Sequence, residues 1–402
     1  MSEVMLNDIC ELIVDCPHTT AVDEGHGYPL VRTPNIGKGR LVYNGMHRVS
    51  EEVYNKRNFR AVPQEDDLIF AREATAGNVA LIQKGEKVCL GQRTVLLRPN
   101  KALVNPTFLT YFLLAPKQQY NLLCTANGAT VAHVNMSTIR NLKLELPHLQ
   151  IQNKIGIILS RYDSLIENYQ KQINLLEEFA QRLYKEWFID LRFPGHENTK
   201  IVDGVPEGWE KKKIKDLVDL KSGYAFKSSA FVEKGKYKIV TIKNVKDGVF
   251  DGDNVSYLNS VPEKMPSHCI LQTGDILLSL TGNVGRICMV VGDNYLLNQR
   301  VAKLESNFPA FTYCHFRYYD TFVAINNLAN GAAQQNVSPI RIGDLNLIMA
   351  NDEILNLFEN VTENIRTNIL NLSLQIKHLT EARDRLLPKL MSEDIEVQPQ
   401  WQ

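Results

Sequence analysis

The side chains best suited to chemistry in this sequence are amides and guanidinium groups that come in pairs. Asn35 and Asn244, Asn78 and Asn283, Gln92 and Gln299, Arg93 and Arg300, and Asn127 and Asn330 each recur after 203 to 209 residues. An amide offers a donor beside an acceptor and a guanidinium offers a fork of donors, so both suit bidentate contact with the edge of a nucleobase. Each shared position also fits a turn-forming or structural role. Two copies that read different targets must differ somewhere, so shared residues suit scaffold or phosphate contacts and divergent ones in the same loops suit base contacts. Thr130-Val131-Ala132-His133 stands opposite Ala333-Gln334-Gln335-Asn336, and Arg32-Thr33 opposite Thr241-Ile242. Gln334, Gln335 and Asn336 suit adenine, while Thr130 suits a thymine methyl. Lys38, Arg40, Arg72, Lys227, Lys243 and Lys246 complete the set of candidate base or phosphate contacts.

The elements that position these residues are duplicated too. NGATVAHVN at Asn127–Asn135 is echoed by NGAAQQNVS at Asn330–Ser338, and YPLVRTPNI at Tyr28–Ile36 by YKIVTIKNV at Tyr237–Val245. DDLIFAREATAGNVA at Asp66–Ala80 parallels GDILLSLTGNVG at Gly274–Gly285. A period near 200 residues is a whole domain with its connector. Short apolar runs predict strands over Asp67–Phe70, Val79–Ile82, Thr94–Leu97 and Leu142–Leu146, then over Ile239–Ile242, Ile276–Leu280 and Ile287–Val291. Each copy ends in a heptad pattern, which predicts two long helices. The first seam runs Ile155, Tyr162, Tyr169, Leu176, Leu183, with Ile158, Leu165, Gln172 and Phe179 as companions. The second runs Phe358, Ile365, Leu372, Leu379, Leu386, with Val361, Asn368, Gln375 and Ala382. Gln172 and Gln375 interrupt the seams at equivalent places. Either they meet and fix the register of a helix pair, or both amides reach solvent at its edge.

Composition narrows the classes. Lys+Arg and Asp+Glu both number 45, which argues against avid binding to nucleic acid by this chain alone. Seven Cys without a C-x-x-C give neither a disulfide framework nor a zinc pattern, and His18, His133 and His268 lack metal-ligand spacing to Cys or Asp. The acidic first residues and the lack of a long apolar run point to a soluble, cytoplasmic protein. Asn105-Pro106-Thr107-Phe108 has the outline of the N-P-P-Y/F loop of amino-group DNA methyltransferases. Its counterpart, Phe308-Pro309-Ala310-Phe311, keeps Pro and Phe but drops Asn, as expected of Pro in the first turn of a helix. Asp203 with Glu210-Lys211-Lys212 is a poor nuclease motif, in a linker without strand context. No catalytic and no metal-binding residues are assigned.

The whole pattern resembles the specificity (S) subunits of type I restriction–modification systems. The likeness rests on the two half-chain repeats and on SGYAFKSSAF at Ser222–Phe231, PEGWE at Pro206–Glu210, SLTGNVG at Ser279–Gly285 and LELPHLQIQNKI at Leu144–Ile155. The second copy departs at Leu347–Ile354, LIMANDEI, which lacks the Pro and Gln. The resemblance implies an α/β chain with two target recognition domains joined by two long antiparallel coiled-coil helices in pseudo-twofold symmetry. Expected boundaries are 1–150 and 209–351 for the heads, 151–188 and 352–391 for the spacer helices, 189–208 for a linker and 392–402 for a tail. It further implies that each head reads half of a bipartite, asymmetric site on double-stranded DNA. Methyltransferase subunits, two of them, and translocase/nuclease subunits would carry the chemistry, with S-adenosylmethionine, ATP and Mg, and this chain would need no cofactor. A coiled-coil adaptor with two protein-binding heads is the competing reading; it fits the neutral charge and leaves the duplicated Asn, Gln and Arg loops unexplained.

Overall fold

The computed structural model describes residues 2–124, 133–253, 255–329 and 336–392. The chain divides into two compact units, one made of Met1–Glu167 with His378–Gln402, the other of Asn168–Lys377. The division therefore falls inside both long helices, Leu149–Tyr184 and Asp352–Met391, rather than at the expected head–helix boundaries.

In the first unit a four-stranded antiparallel sheet runs in the order Cys10–Asp15, Thr94–Pro99, Leu68–Ala71, Val79–Leu81. Its central strands are buried on both faces, which is why they read as unbroken apolar runs. A second sheet joins His47–Val49, Tyr28–Val31 and Cys89–Leu90, the last pair in parallel. Ser2–Met5 pairs with Lys143–Leu146, whose alternating burial marks one wet face. The second unit repeats the plan. One sheet runs Asp219–Ser222, Val301–Glu305, Ile276–Ser279, Ile287–Met289; another runs Ser256–Leu258, Tyr237–Val240, Tyr295–Leu297, Ile270–Leu271. Glu210–Lys213 pairs with Asn346–Met349. This last strand corrects the expectation that Glu210-Lys211-Lys212 lacks strand context.

Hydrogen bonds also correct the alignment of the two hairpin loops. Gly77 N–H donates to Ala71 O and Gly285 N–H to Ser279 O, while Ala71 N–H donates to Asn78 O and Ser279 N–H to Arg286 O. Gly77 and Gly285 share a left-handed backbone, as do Ala74 and Gly282. Asn78 is therefore equivalent to Arg286, and Asn283 to Thr75; the matching letters Gly-Asn-Val are three residues out of register.

Within each unit the long helices pack antiparallel. In the first, Ile155 and Leu159 near the start of one helix share a core with Leu386 and Leu390 near the end of the other. In the second, Ile173, Ala180 and Tyr184 share a core with Phe358, Leu355 and Ile369. The true seam of the second helix is Leu355, Phe358, Thr362, Ile365, Ile369, Leu372, with alternating steps of three and four. The expected companions, three residues after each seam position, are displaced outward: Leu165, Phe179 and Val361 are exposed, and the companions that pack lie four residues on. Gln172 and Gln375 accordingly sit on the wet side. Gln172 Nε2 donates to Asn168 Oδ1 on its own helix at 3.0 Å. They do not interrupt the seams.

The short Pro-initiated helices, Pro106–Leu114 and Pro309–Arg317, close each head against its long helices. Asn105 Oδ1 caps the first by accepting from Phe108 N–H at 2.8 Å, which accounts for the Asn-Pro pair without any catalytic role. Phe308 cannot cap the second. There Glu359 accepts from Ala310 N–H at 2.7 Å and Phe311 N–H at 3.2 Å. Glu359 stands where the first helix has Gly156, whose added Cβ would meet Asn105 Oδ1 at 3.0 Å. Each copy thus supplies one acceptor, from opposite partners.

Candidate nucleic-acid interface

In the first head the structure gathers Arg32, Thr33, Gln92 and Arg93 around a cavity of about 220 Å³, and adds Arg57, which the sequence did not single out. Arg93 takes a left-handed conformation, φ 64°, just before the central strand Thr94–Pro99. Its guanidinium pairs with Glu73. Arg57, at the end of the helix Glu51–Arg57, donates to the carbonyls of Leu90 at 2.7 Å and Thr19 at 3.0 Å. Arg32 Nη2 donates to Gly45 O at 3.1 Å, while its Nε is enclosed with no hydrogen-bond partner among the described residues. Gln92 Nε2 donates to His18 O at 3.0 Å. Three arginines thus line one cavity, and among the described residues only Arg93 has a carboxylate bonded to it; such a wall favours a phosphate or the acceptor edge of a base.

Beside the cavity runs a charged chain. Asp15 Oδ2 accepts from Arg72 Nη1 at 2.8 Å, Arg72 Nη2 meets His133 Nε2 at 2.9 Å, and His133 Nδ1 meets Glu73 Oε1 at 2.5 Å. Arg72 Nε donates to Val134 O, so this buried arginine is committed to the protein and positions His133 rather than touching a ligand. Asp15, Cys16 and His18 bring possible ligand atoms within 4.8 Å of one another, overturning the expectation that His18 lacks such neighbours. Arg72 on the Asp15 carboxylate opposes a cation there, and burial pushes the Cys16 thiol up from its ordinary pKa.

The second head holds the same backbone around different side chains. Val134 N–H donates to Arg72 O and Val337 N–H to Leu280 O; Arg72 N–H donates to Arg93 O and Leu280 N–H to Arg300 O. By this correspondence Leu280 replaces Arg72, Thr281 replaces Glu73 and Asn336 replaces His133. Thr281 Oγ1 donates to Asn336 Oδ1 at 3.0 Å, a neutral pair where the first head has a charged one. Gln299 and Arg300 are exposed on the loop equivalent to Gln92-Arg93.

Several expected contacts are corrected. Asn35 and Asn244 are buried, at 1% and 0% exposure, and staple equivalent loops. Asn35 accepts from Arg32 N–H and donates to Val42 O; Asn244 accepts from Thr241 N–H and donates to Asp251 O. Asn78 donates to Ile36 O at 2.9 Å and is likewise structural. Thr241 turns its hydroxyl onto Asn244. Lys38 and Arg40 lie away from the arginine cavity: Lys38 lines a separate space with Tyr111 and Arg383, next to Gly39, which abuts Asp163. Lys227, Lys243 and Asn283 are exposed. Thr130, Gln334 and Gln335 lie outside the described residues. Arg57 was missed because the segments before each copy of the central hairpin do not align; Glu73 was missed because the loop register was taken from Gly-Asn-Val.

No helix is long and apolar enough to cross a membrane among the described residues. The family profile described as "Type I restriction modification DNA specificity domain" matches residues 1–178 and again 206–371. The chain is similar to the MjaIX specificity subunit of Methanocaldococcus jannaschii, with 24% identity over 98% of this chain and 93% of that one. It is 33% identical to the MjaVIII specificity subunit of the same organism, over 69% of this chain and 63% of that one. Its fold matches the crystal structure of the type I restriction–modification S subunit from M. genitalium with TM-score 0.57, 16% identity and coverage of 97% and 95%.

Proposed function

The chain belongs to the type I restriction–modification DNA specificity family, and from that premise we propose that its two heads read the two halves of one bipartite, asymmetric DNA site. The observation that supports this is the pair of equivalent backbone frames carrying Glu73 and His133 in one head and Thr281 and Asn336 in the other. A duplicated binder of one repeated ligand would have no use for that difference. In the first head, Arg32, Gln92 and Arg93 contact bases or phosphates, with Arg57 holding the cavity's charge and the Asp15–Arg72–His133 chain fixing its wall. In the second, Asn336, Gln299 and Arg300 take these places. Methylation of adenine and ATP-driven cleavage fall to partner subunits, which hold S-adenosylmethionine, ATP and Mg; this chain supplies the address.

The test is a methylome from cells carrying the chain and its methyltransferase subunit. The double variant Glu73→Thr, His133→Asn should change one half of the methylated motif and leave the other half and the gap intact. An unchanged motif removes this loop from the reading surface, and no methylated bipartite motif with the parent chain favours the adaptor reading. Arg32→Ala and Arg93→Ala should each lower the salt dependence of DNA binding by about one phosphate equivalent if they contact the backbone, or relax one base position if they read an edge.

A further inference from the structure

Glu73 sits at the hairpin turn between Leu68–Ala71 and Val79–Leu81, beside Ala74 with its left-handed φ of 59°. Thr75 Oγ1 ties the same turn to Thr33 O at 2.9 Å. One oxygen of the Glu73 carboxylate is occupied. Arg72 Nη2 can only donate, so His133 Nε2 accepts, and the ring proton lies on Nδ1, which donates to Glu73 Oε1. Burial, then the Arg72 and Arg93 charges, pull the His133 pKa down and favour the neutral ring. Arg93 Nη1 donates to that same oxygen. Glu73 Oε2 and Arg93 Nε and Nη2 have no hydrogen-bond partner among the described residues. The Glu73 and Arg93 side chains are 23% and 51% exposed, so the couple is within reach of a ligand.

Donors beside an acceptor match the major-groove edge of a G·C pair. That edge shows guanine N7 and O6 as acceptors and then the cytosine N4 amine as a donor. An A·T pair would set the adenine N6 amine against the Arg93 donors and thymine O4 against the carboxylate, so it is refused at two points. The second head cannot form the same couple. It keeps Arg300 in the place of Arg93, but Thr281 stands where Glu73 does and spends its hydroxyl on Asn336 Oδ1.

We infer that the first head recognises a G·C pair through the Arg93–Glu73 couple, Arg93 donating to guanine N7 and O6 and Glu73 accepting from cytosine N4. His133 is the positioning residue that leaves Glu73 Oε2 free for the amine. The inference rests on the reading of the heads as halves of one DNA reader, and it assigns Arg93 to a base rather than to a phosphate.

The complex of the full chain with its methyltransferase subunit supplies the test. Its methylated motif should hold a G·C pair in one half-site, and Glu73→Gln, whose amide can face adenine, should admit A·T at that position alone. Replacing that G·C pair by A·T in the DNA should weaken binding of the parent complex by about 5- to 150-fold, and of the Glu73→Gln complex far less. 7-Deazaguanine at the same position lacks only the N7 acceptor and should also weaken the parent complex. That replacement needs no variant protein, so it decides alone if Glu73→Gln abolishes methylation. A position altered by Glu73→Gln that is not G·C overturns the inference, as does tolerance of 7-deazaguanine throughout both half-sites; either result leaves the two-head reading standing. A parent chain that directs no bipartite motif overturns both.

Discussion

His315 shows how a single buried group sets a pH limit. Its Nδ1 meets Tyr184 OH at 2.8 Å, and its Nε2 is enclosed without a partner among the described residues. Burial pulls its pKa down to about 4 from an ordinary 6.5. The folded chain then binds fewer protons than the unfolded one between these values, so stability is full above about pH 6.5 and falls as pH drops toward 4. The loss approaches 3 kcal/mol, an order-of-magnitude figure. His315→Gln should flatten the fall of denaturation midpoint between pH 6.5 and 4.5; a slope as steep as the parent's would place the titrating group elsewhere. At this scale the sequence was informative about residue type and poor about fate. Arg72, Asn35 and Asn78 all look like DNA contacts as letters, yet the two amides donate to backbone carbonyls and Arg72 is held by Val134 O, Asp15 and His133, partners brought close only by the fold. Arg32 and Arg93 carry the same letter as Arg72 and face a cavity instead.

Among the elements, the helix caps offer the cleanest test. Glu359→Ala should orphan two N–H groups at the start of Pro309–Arg317 and lower stability by about 1–2 kcal/mol in urea titrations, with partial recovery on adding Phe308→Asn. Because Gln172 and Gln375 are exposed, Gln172→Leu and Gln375→Leu should change stability by no more than about 0.5 kcal/mol and leave helix register unaltered. A gain of several kcal/mol would return them to the seam. The elements legible in the sequence were those fixed by local burial: Leu68–Ala71, Val79–Leu81 and Ile276–Ser279 lie within a residue or two of their apolar runs. Glu210–Lys213 was illegible because four polar side chains become a strand only through Asn346–Met349, more than 130 residues away. The seam was half legible, since Leu165, Phe179 and Val361 are apolar side chains left at the surface and mimic a heptad position.

For the whole molecule, the duplication was plain in the letters, and so was the family. The division into compact units was not, because each head borrows half of the helix that belongs, by sequence, to the other copy. Leu386 and Leu390 complete the core that holds Leu6, Phe108 and Leu159. Truncation after Lys377 should therefore damage the first unit more than the second, even though it removes residues distant in sequence from the first head. Hydrogen exchange would show protection lost in Leu68–Ala71 and Thr94–Pro99 and kept in Ile276–Ser279. Equal loss in both units would contradict the division.

That borrowed helix half also sets an order in time. The second unit is one continuous stretch and has all its residues once Lys377 has been synthesised, whereas the first lacks the partners of Ile155 and Leu159 until residues 378–391 follow. At roughly 5–20 residues per second, the delay after Glu167 is about 10–40 s. The unit whose synthesis begins first is thus the last to have all its residues supplied.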